Sequence, residues 1–151
     1  MKIRNYQGRN FKKLRSDDKL SKDGRAKLMS TIRSKNTKFE TDFLSALTQA
    51  TKQKFHTHLR GLRGTPDIVF IRRKVCVFLD SDFWHGWQYP RWKHLLKNDF
   101  WREKIEKNRA RDRRNTAFLR KQGWKVLRFW EHQIKTNNKS ALVKILEALE
   151  K

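Results

Sequence analysis

The sequence predicts an α/β fold, a mixed sheet held between helices, and three stretches carry that prediction. Two apolar runs, Ile68–Ile71 and Val75–Leu79, flank the basic turn Arg72-Arg73-Lys74. They read as an antiparallel hairpin, although the turn lacks the Gly or Asn of the tightest types. The second run is apolar at nearly every position, so helices should cover both of its faces. A long segment with helical spacing, about Asp99 to Gln122, then leads to another strand, Trp124–Trp130.

The length of 151 residues suits one domain with a real core. The chain has 38 Lys and Arg against 15 Asp and Glu, a formal charge of +23 and a pI near 10.8. That balance implies a polyanionic partner, nucleic acid first, with a merely soluble basic surface as the plainer alternative. A membrane surface fits less well, because no basic amphipathic helix with an aromatic face stands out. The single cysteine, Cys76 in mid-strand, excludes an internal disulfide and reads as a small buried hydrophobe. No apolar stretch approaches about 18 residues and the N-terminus lacks a signal-peptide core, so a soluble, cytoplasmic protein is expected.

Residues 1–35 are rich in Lys, Arg, Ser and Asp with few apolar residues. They read as a partly ordered basic arm with at most a short helix near Lys27–Ile32, and little reason to order without a polyanion beside it. Residues 36–151 read as a single domain. It opens at Thr37-Lys38-Phe39-Glu40, a capping-box pattern, and Phe43, Leu44, Leu47 and Ala50 continue at helical spacing. A short strand near Phe55–Leu59 is followed by a loop in which Gly61 and Gly64 permit unusual backbone angles. After the hairpin, Trp87 to Asn98 looks irregular and is interrupted by Pro90. The long helix stops at Gly123, and a final helix, Ser140–Glu150, sets Leu142, Val143, Leu146 and Leu149 on one face.

Pairing Ile71 with Val75 puts Asp67 opposite Leu79 and diagonal to Asp80. Carboxylates then gather at the open end of the hairpin, followed at once by Phe83, Trp84 and His85. Asp67 follows Pro66, which pins the chain at the strand entrance, and a carboxylate there suits a hard divalent cation such as Mg²⁺. Asp80 and the Leu79 main-chain oxygen are the natural co-ligands. Such a metal activates water and neutralises charge building on a phosphate. The alternative for Asp67 is a loop carboxylate that caps a turn. His85 lies within reach of the same point, where an imidazole deprotonates attacking water or contacts phosphate; a structural role is its alternative. Glu40 is explained by the capping box alone.

On the long helix the seam Trp101, Ile105, Asn108, Asp112, Leu119 should face inward, and its two polar residues need partners there. Arg109, Arg111, Arg113 and Arg114 lie on other faces, where they can grip phosphates. The aromatics Phe83, Trp84, Trp87, Trp92 and Trp101, interleaved with Lys and Arg, suit base stacking or wedging. Ordinary core is the alternative for about half of them. His85, His94 and His132 with one Cys make no closed zinc pattern.

Taken together, these residues closely resemble the very-short-patch repair endonucleases, bacterial enzymes that nick DNA at T:G mismatches. The match runs from about Leu28 to Ile134. It includes the stretch Met29 to Thr37, Glu40, Pro66-Asp67-Ile68-Val69, Phe83-Trp84-His85-Gly86, Phe100-Trp101, Lys104-Ile105, Asn108, Arg111-Asp112, Gly123-Trp124 and Trp130-Glu131. The resemblance implies the restriction-endonuclease-like fold, three layers α/β/α around a central mixed sheet.

It also implies that Asp67 binds Mg²⁺ with the Leu79 main-chain oxygen, that His85 acts in catalysis, and that Glu40 and Asp112 complete the site. Asp80 is a candidate extra ligand. Phe83, Trp84 and Trp101 hold the positions of aromatics that relatives insert beside the mismatch. Arg33, Lys35, Asn108 and Arg111 are the further DNA-contact candidates. Two departures stand out. Where relatives hold a structural zinc with three Cys and one His, this chain has Asp82, Trp87, Tyr89 and His132, so no zinc is expected. Where some relatives have a second catalytic His, this chain has Asp80.

The expected activity is Mg²⁺-dependent nicking of one DNA strand at or near a T:G mismatch, leaving 5′-phosphate and 3′-hydroxyl ends. The alternatives are a same-fold homing or restriction-type endonuclease acting on fully paired DNA, and a basic binding protein without activity. Double-stranded DNA is the expected partner, other DNA repair proteins are candidates, no membrane is involved, and the chain is expected to be a monomer.

Overall fold

The computed structural model describes residues 20–31, 37–96 and 98–150. Arg33 and Lys35, expected at DNA, lie outside them, as does most of the basic arm. Within the arm, helix α1 spans Lys22–Thr31, begun by Ser21, whose Oγ accepts a 3.0 Å bond from the Gly24 N–H. Helix α2, Lys38–Ala50, starts at Thr37 as expected and buries Phe39, Phe43 and Leu47. Strand β1 is only His56–Thr57, β2 is Ile68–Phe70 and β3 is Val75–Asp80. A four-residue helix α3, Tyr89–Trp92, then uses Pro90 in its first turn, where a missing N–H costs nothing. Helix α4, Asp99–Lys121, is capped by Asn98, whose side chain accepts from the Phe100 N–H. Strand β4, Lys125–Trp130, leads directly into α5, Glu131–Glu150.

The sheet order is β1-β2-β3-β4, antiparallel except for the parallel β3–β4 pair, so the expected mixed sheet is present. Alternation along the strands sorts side chains to two faces. Ile68, Phe70, Val75, Val77 and Leu79 pack with α2 and α5, whereas Val69, Cys76 and Phe78 pack with Leu119 of α4 and Val126. Cys76 is fully buried and its thiol is pushed up to about 11, chiefly by burial.

Two local expectations are corrected. The hairpin register is Phe70 with Val75, not Ile71 with Val75, because Ile71–Arg73 form a 3₁₀ turn and Lys74 takes a left-handed φ of 50°. Ile71 is therefore exposed. The last helix also begins nine residues earlier than Ser140; a break at Asn137 (φ −153°, ψ 82°) divides it. Among the described residues no helix is long and apolar enough to cross a membrane.

Candidate active site

The site lies where β2 begins and β3 and β4 end. The Asp67 Oδ2 accepts a 2.7 Å bond from the Leu79 N–H, so the side chain reaches across the hairpin despite the one-residue difference in register. Burial pushes the Asp67 carboxyl up to about 7; the bond from Leu79 and His85 lower it, and the charges of Glu40 and Asp80 raise it further. An ionised Asp67 thus lacks sufficient counter-charge from the chain itself, the condition a divalent cation would relieve. Glu40, buried on the first turn of α2, accepts a long 3.4 Å bond from the Thr37 N–H and still faces Asp67. It serves the cap and the site together. One ring nitrogen of His58 and one oxygen each of Glu40 and Asp67 all lie within 4.8 Å of one another, a group able to hold a metal.

His85 Nδ1 lies 2.6 Å from Asp112 Oδ2 and 3.4 Å from Asp80 Oδ1. Burial works to raise the Asp112 carboxyl, but the bond and charge of His85, with Arg128 and Arg111, hold it below the usual range. Asp80, expected as a metal ligand, has both oxygens engaged by Arg128, at 2.7 Å from Nε and 2.6 Å from Nη2. It acts in this geometry as the counter-ion of a partly buried guanidinium, not as an open donor. Arg128 also bonds Thr116, lies 4.4 Å over the Phe78 ring and stands 3.6 Å from Asp112. Burial would lower its pKa, but Asp80 and Asp112 raise it, so the guanidinium stays charged.

Glu40, Leu79 and His85 line one cleft of about 1060 Å³, with Lys38, Arg111 and Lys135 on its walls. Asn108 also faces this cleft and donates a 3.0 Å bond to the Trp84 carbonyl. Both polar residues of the inward helix seam therefore find partners. Of the three aromatics expected at DNA, only Trp84 lines the cleft. Phe83 is buried, stacked on Trp92 at 5.6 Å, and Trp101 is 2 % exposed. They belong to an aromatic lobe with Tyr89, Leu96 and Ile105, against which Met29 of α1 packs.

Asp82, Trp87, Tyr89 and His132, where no zinc is expected, make direct contacts of their own. His132 Nδ1 lies 2.7 Å from Asp82 Oδ1, and its ring stands 4.8 Å from that of Trp87. Tyr89 donates to Glu106 at 3.0 Å. Gly86, at φ +71°, lets this loop close on α4: a Cβ there would lie 2.7 Å from the Arg109 side chain.

Sequence reasoning missed His58 and Arg128. His58 was findable, since antiparallel pairing of Thr57 with Ile68 brings it beside Asp67. Arg128 depends on the parallel β3–β4 register, which pairs it with Phe78 and so sets it on the side of Asp80.

Residues 17–91 match the family model described as DNA mismatch endonuclease Vsr. The chain is 42% identical over 119 residues to the type II nicking enzyme V.XorIIP of Xanthomonas oryzae pv. oryzae, covering 78% of this chain and 86% of that protein. It is 35% identical to the type II nicking enzyme V.NmeDIP of Neisseria meningitidis serogroup C, across 87% and 90% of the two chains. It is 33% identical to the DNA mismatch endonuclease Vsr of Escherichia coli, across 83% and 81%. The chain belongs to the DNA mismatch endonuclease Vsr family.

Proposed function

We propose that this DNA endonuclease nicks one strand of duplex DNA at or near a T:G mismatch, with Mg²⁺ as its divalent ion. The observation that carries this is the 2.6 Å His85–Asp112 pair at a cleft that Glu40 also lines, beside the partly buried Asp67. Asp67, Glu40 and the Leu79 main-chain oxygen would hold the ion, which when bound lowers the pKa of a water and neutralises phosphate charge.

With Nδ1 bonded to Asp112, the His85 ring keeps Nε2 for the cleft. There it takes the proton of the attacking water as the water oxygen bonds phosphorus and the bond to the 3′-oxygen breaks. Asp112 fixes the ring's tautomer and direction; Asp80, held by Arg128, lies 3.4 Å from the same Nδ1. Lys38, Arg111 and Lys135 meet the DNA backbone, and Trp84 is the aromatic open to a base. Residues 36–151 form the nuclease unit and the basic arm adds DNA contact.

The test is a nicking assay on matched duplexes that differ only in T:G against T:A, with Mg²⁺. Nicking confined to the T:G duplex and lost in Asp67→Ala is expected. Equal cutting of the fully paired duplex would overturn mismatch dependence and leave the restriction-type alternative; binding with no cutting of either would leave only a DNA-binding role.

A further inference from the structure

His58 has no part in the hydrolysis just described, yet it is built into the same corner. Its Nδ1 lies 3.5 Å from Asp67 Oδ1, and its side chain is only 16% exposed. Its backbone holds φ 48°, a left-handed conformation uncommon for a non-glycine residue, fixed by a 3.2 Å bond from its N–H to the Asp67 carbonyl. Such a conformation at the edge of a polar cluster points to a role for the side chain it aims. A ring nitrogen of His58 falls within 4.8 Å of a carboxylate oxygen of both Glu40 and Asp67. Adjacent ligands on an ion with bonds of about 2.1 Å lie roughly 3 Å apart and opposite ones about 4.2 Å, so small movements would close the three around one cation.

We propose that His58 is a nitrogen ligand of the divalent centre and that the centre consequently binds Mn²⁺ more tightly than Mg²⁺. The inference rests on the proposed reading of Asp67 and Glu40 as the ion's carboxylates. An all-oxygen set suits Mg²⁺, whereas an imidazole adds affinity for first-row transition ions. Mg²⁺ then serves by abundance, and Mn²⁺ replaces it at far lower concentration. A merely structural His58 would bond Asp67 and never touch the ion.

The test uses the full chain, freed of metal by chelation, titrated with Mn²⁺ and with Mg²⁺ in competition. Free Mn²⁺ is counted by electron paramagnetic resonance, and spin-echo modulation reads ¹⁴N coupling on the bound ion. Wild type should bind Mn²⁺ at least about tenfold more tightly than Mg²⁺ and show the coupling. His58→Gln should lose the coupling and about tenfold or more in Mn²⁺ affinity, with a smaller change for Mg²⁺. Asp67→Asn should lose both ions. Coupling that persists in His58→Gln, or unchanged Mn²⁺ affinity there while Asp67→Asn binds none, overturns the role of His58 and leaves the carboxylate centre standing. Unchanged binding by Asp67→Asn overturns the centre itself, and His58's role with it. Circular-dichroism melts of all three proteins establish that each is folded.

Discussion

The end of the sheet and the aromatic lobe beside it are neighbours built on opposite terms. At the sheet's end, Asp67, Glu40, Asp80 and Asp112 crowd together against Arg128, Arg111 and the two histidines. In the lobe, Phe83, Trp92, Trp101 and Ile105 bury apolar surface with no charge at issue. The first region carries electrostatic stress that a bound cation would relieve; the second is packed apolar core. Substitutions at the sheet's end should therefore act on turnover, and those in the lobe on folding.

His85→Ala removes a half-buried ring where the two regions meet. It should slow single-turnover nicking by roughly 10²–10⁴-fold while the melting temperature stays near that of the parent. The mirror experiment lies two residues earlier. Phe83→Ala should cost about 3–5 kcal/mol in a denaturant titration, yet leave turnover little changed in protein that remains folded. A loss of turnover as large as that of His85→Ala would dissolve the distinction.

Arg128→Met tests the boundary more finely. Asp80 would be left buried without its guanidinium, at a cost of about 3 kcal/mol, and the effect should largely vanish in the double variant with Asp80→Leu. Additive losses would show that the pair is not one electrostatic unit.

The sheet and its helices were legible because their signals are local. The capping box at Thr37, the double-faced apolar run of β3 and the helix stop at Gly123 each need only a few neighbouring residues. Asp67 and His85 were named from their motifs and Asp112 from the inward helix seam, while Glu40 entered only through the family resemblance; the fold brings the four to one corner. What stayed hidden depends on distant partners. Arg128 reads as a surface cation until the parallel register sets it against Asp80, 48 residues away in sequence. The first turns of α5 carry no clear apolar period; they are held by buried Ile134 and by Glu131, which bonds Lys135 at 2.6 Å. The aromatics expected at DNA could not be told from core by spacing, since Phe83 and Trp84 are adjacent and only packing separates them.

Asp67 is a partly buried carboxylate whose charge the chain itself balances incompletely, and a bound cation would complete that balance. Its folded value near 7 stands above the unfolded value of 3.8. A raised carboxyl favours the protonated fold, so its contribution is intact below about pH 4 and is lost as the pH climbs through 7. Chemical unfolding of wild type and Asp67→Asn from pH 5 to 8, without and with a divalent cation, measures this directly. The metal-free variant should be the more stable at pH 8, by roughly 2–4 kcal/mol, with the gap closing toward pH 5. The cation should stabilise wild type alone. Parallel pH curves for the two proteins, or equal stabilisation of both by the cation, would contradict the claim.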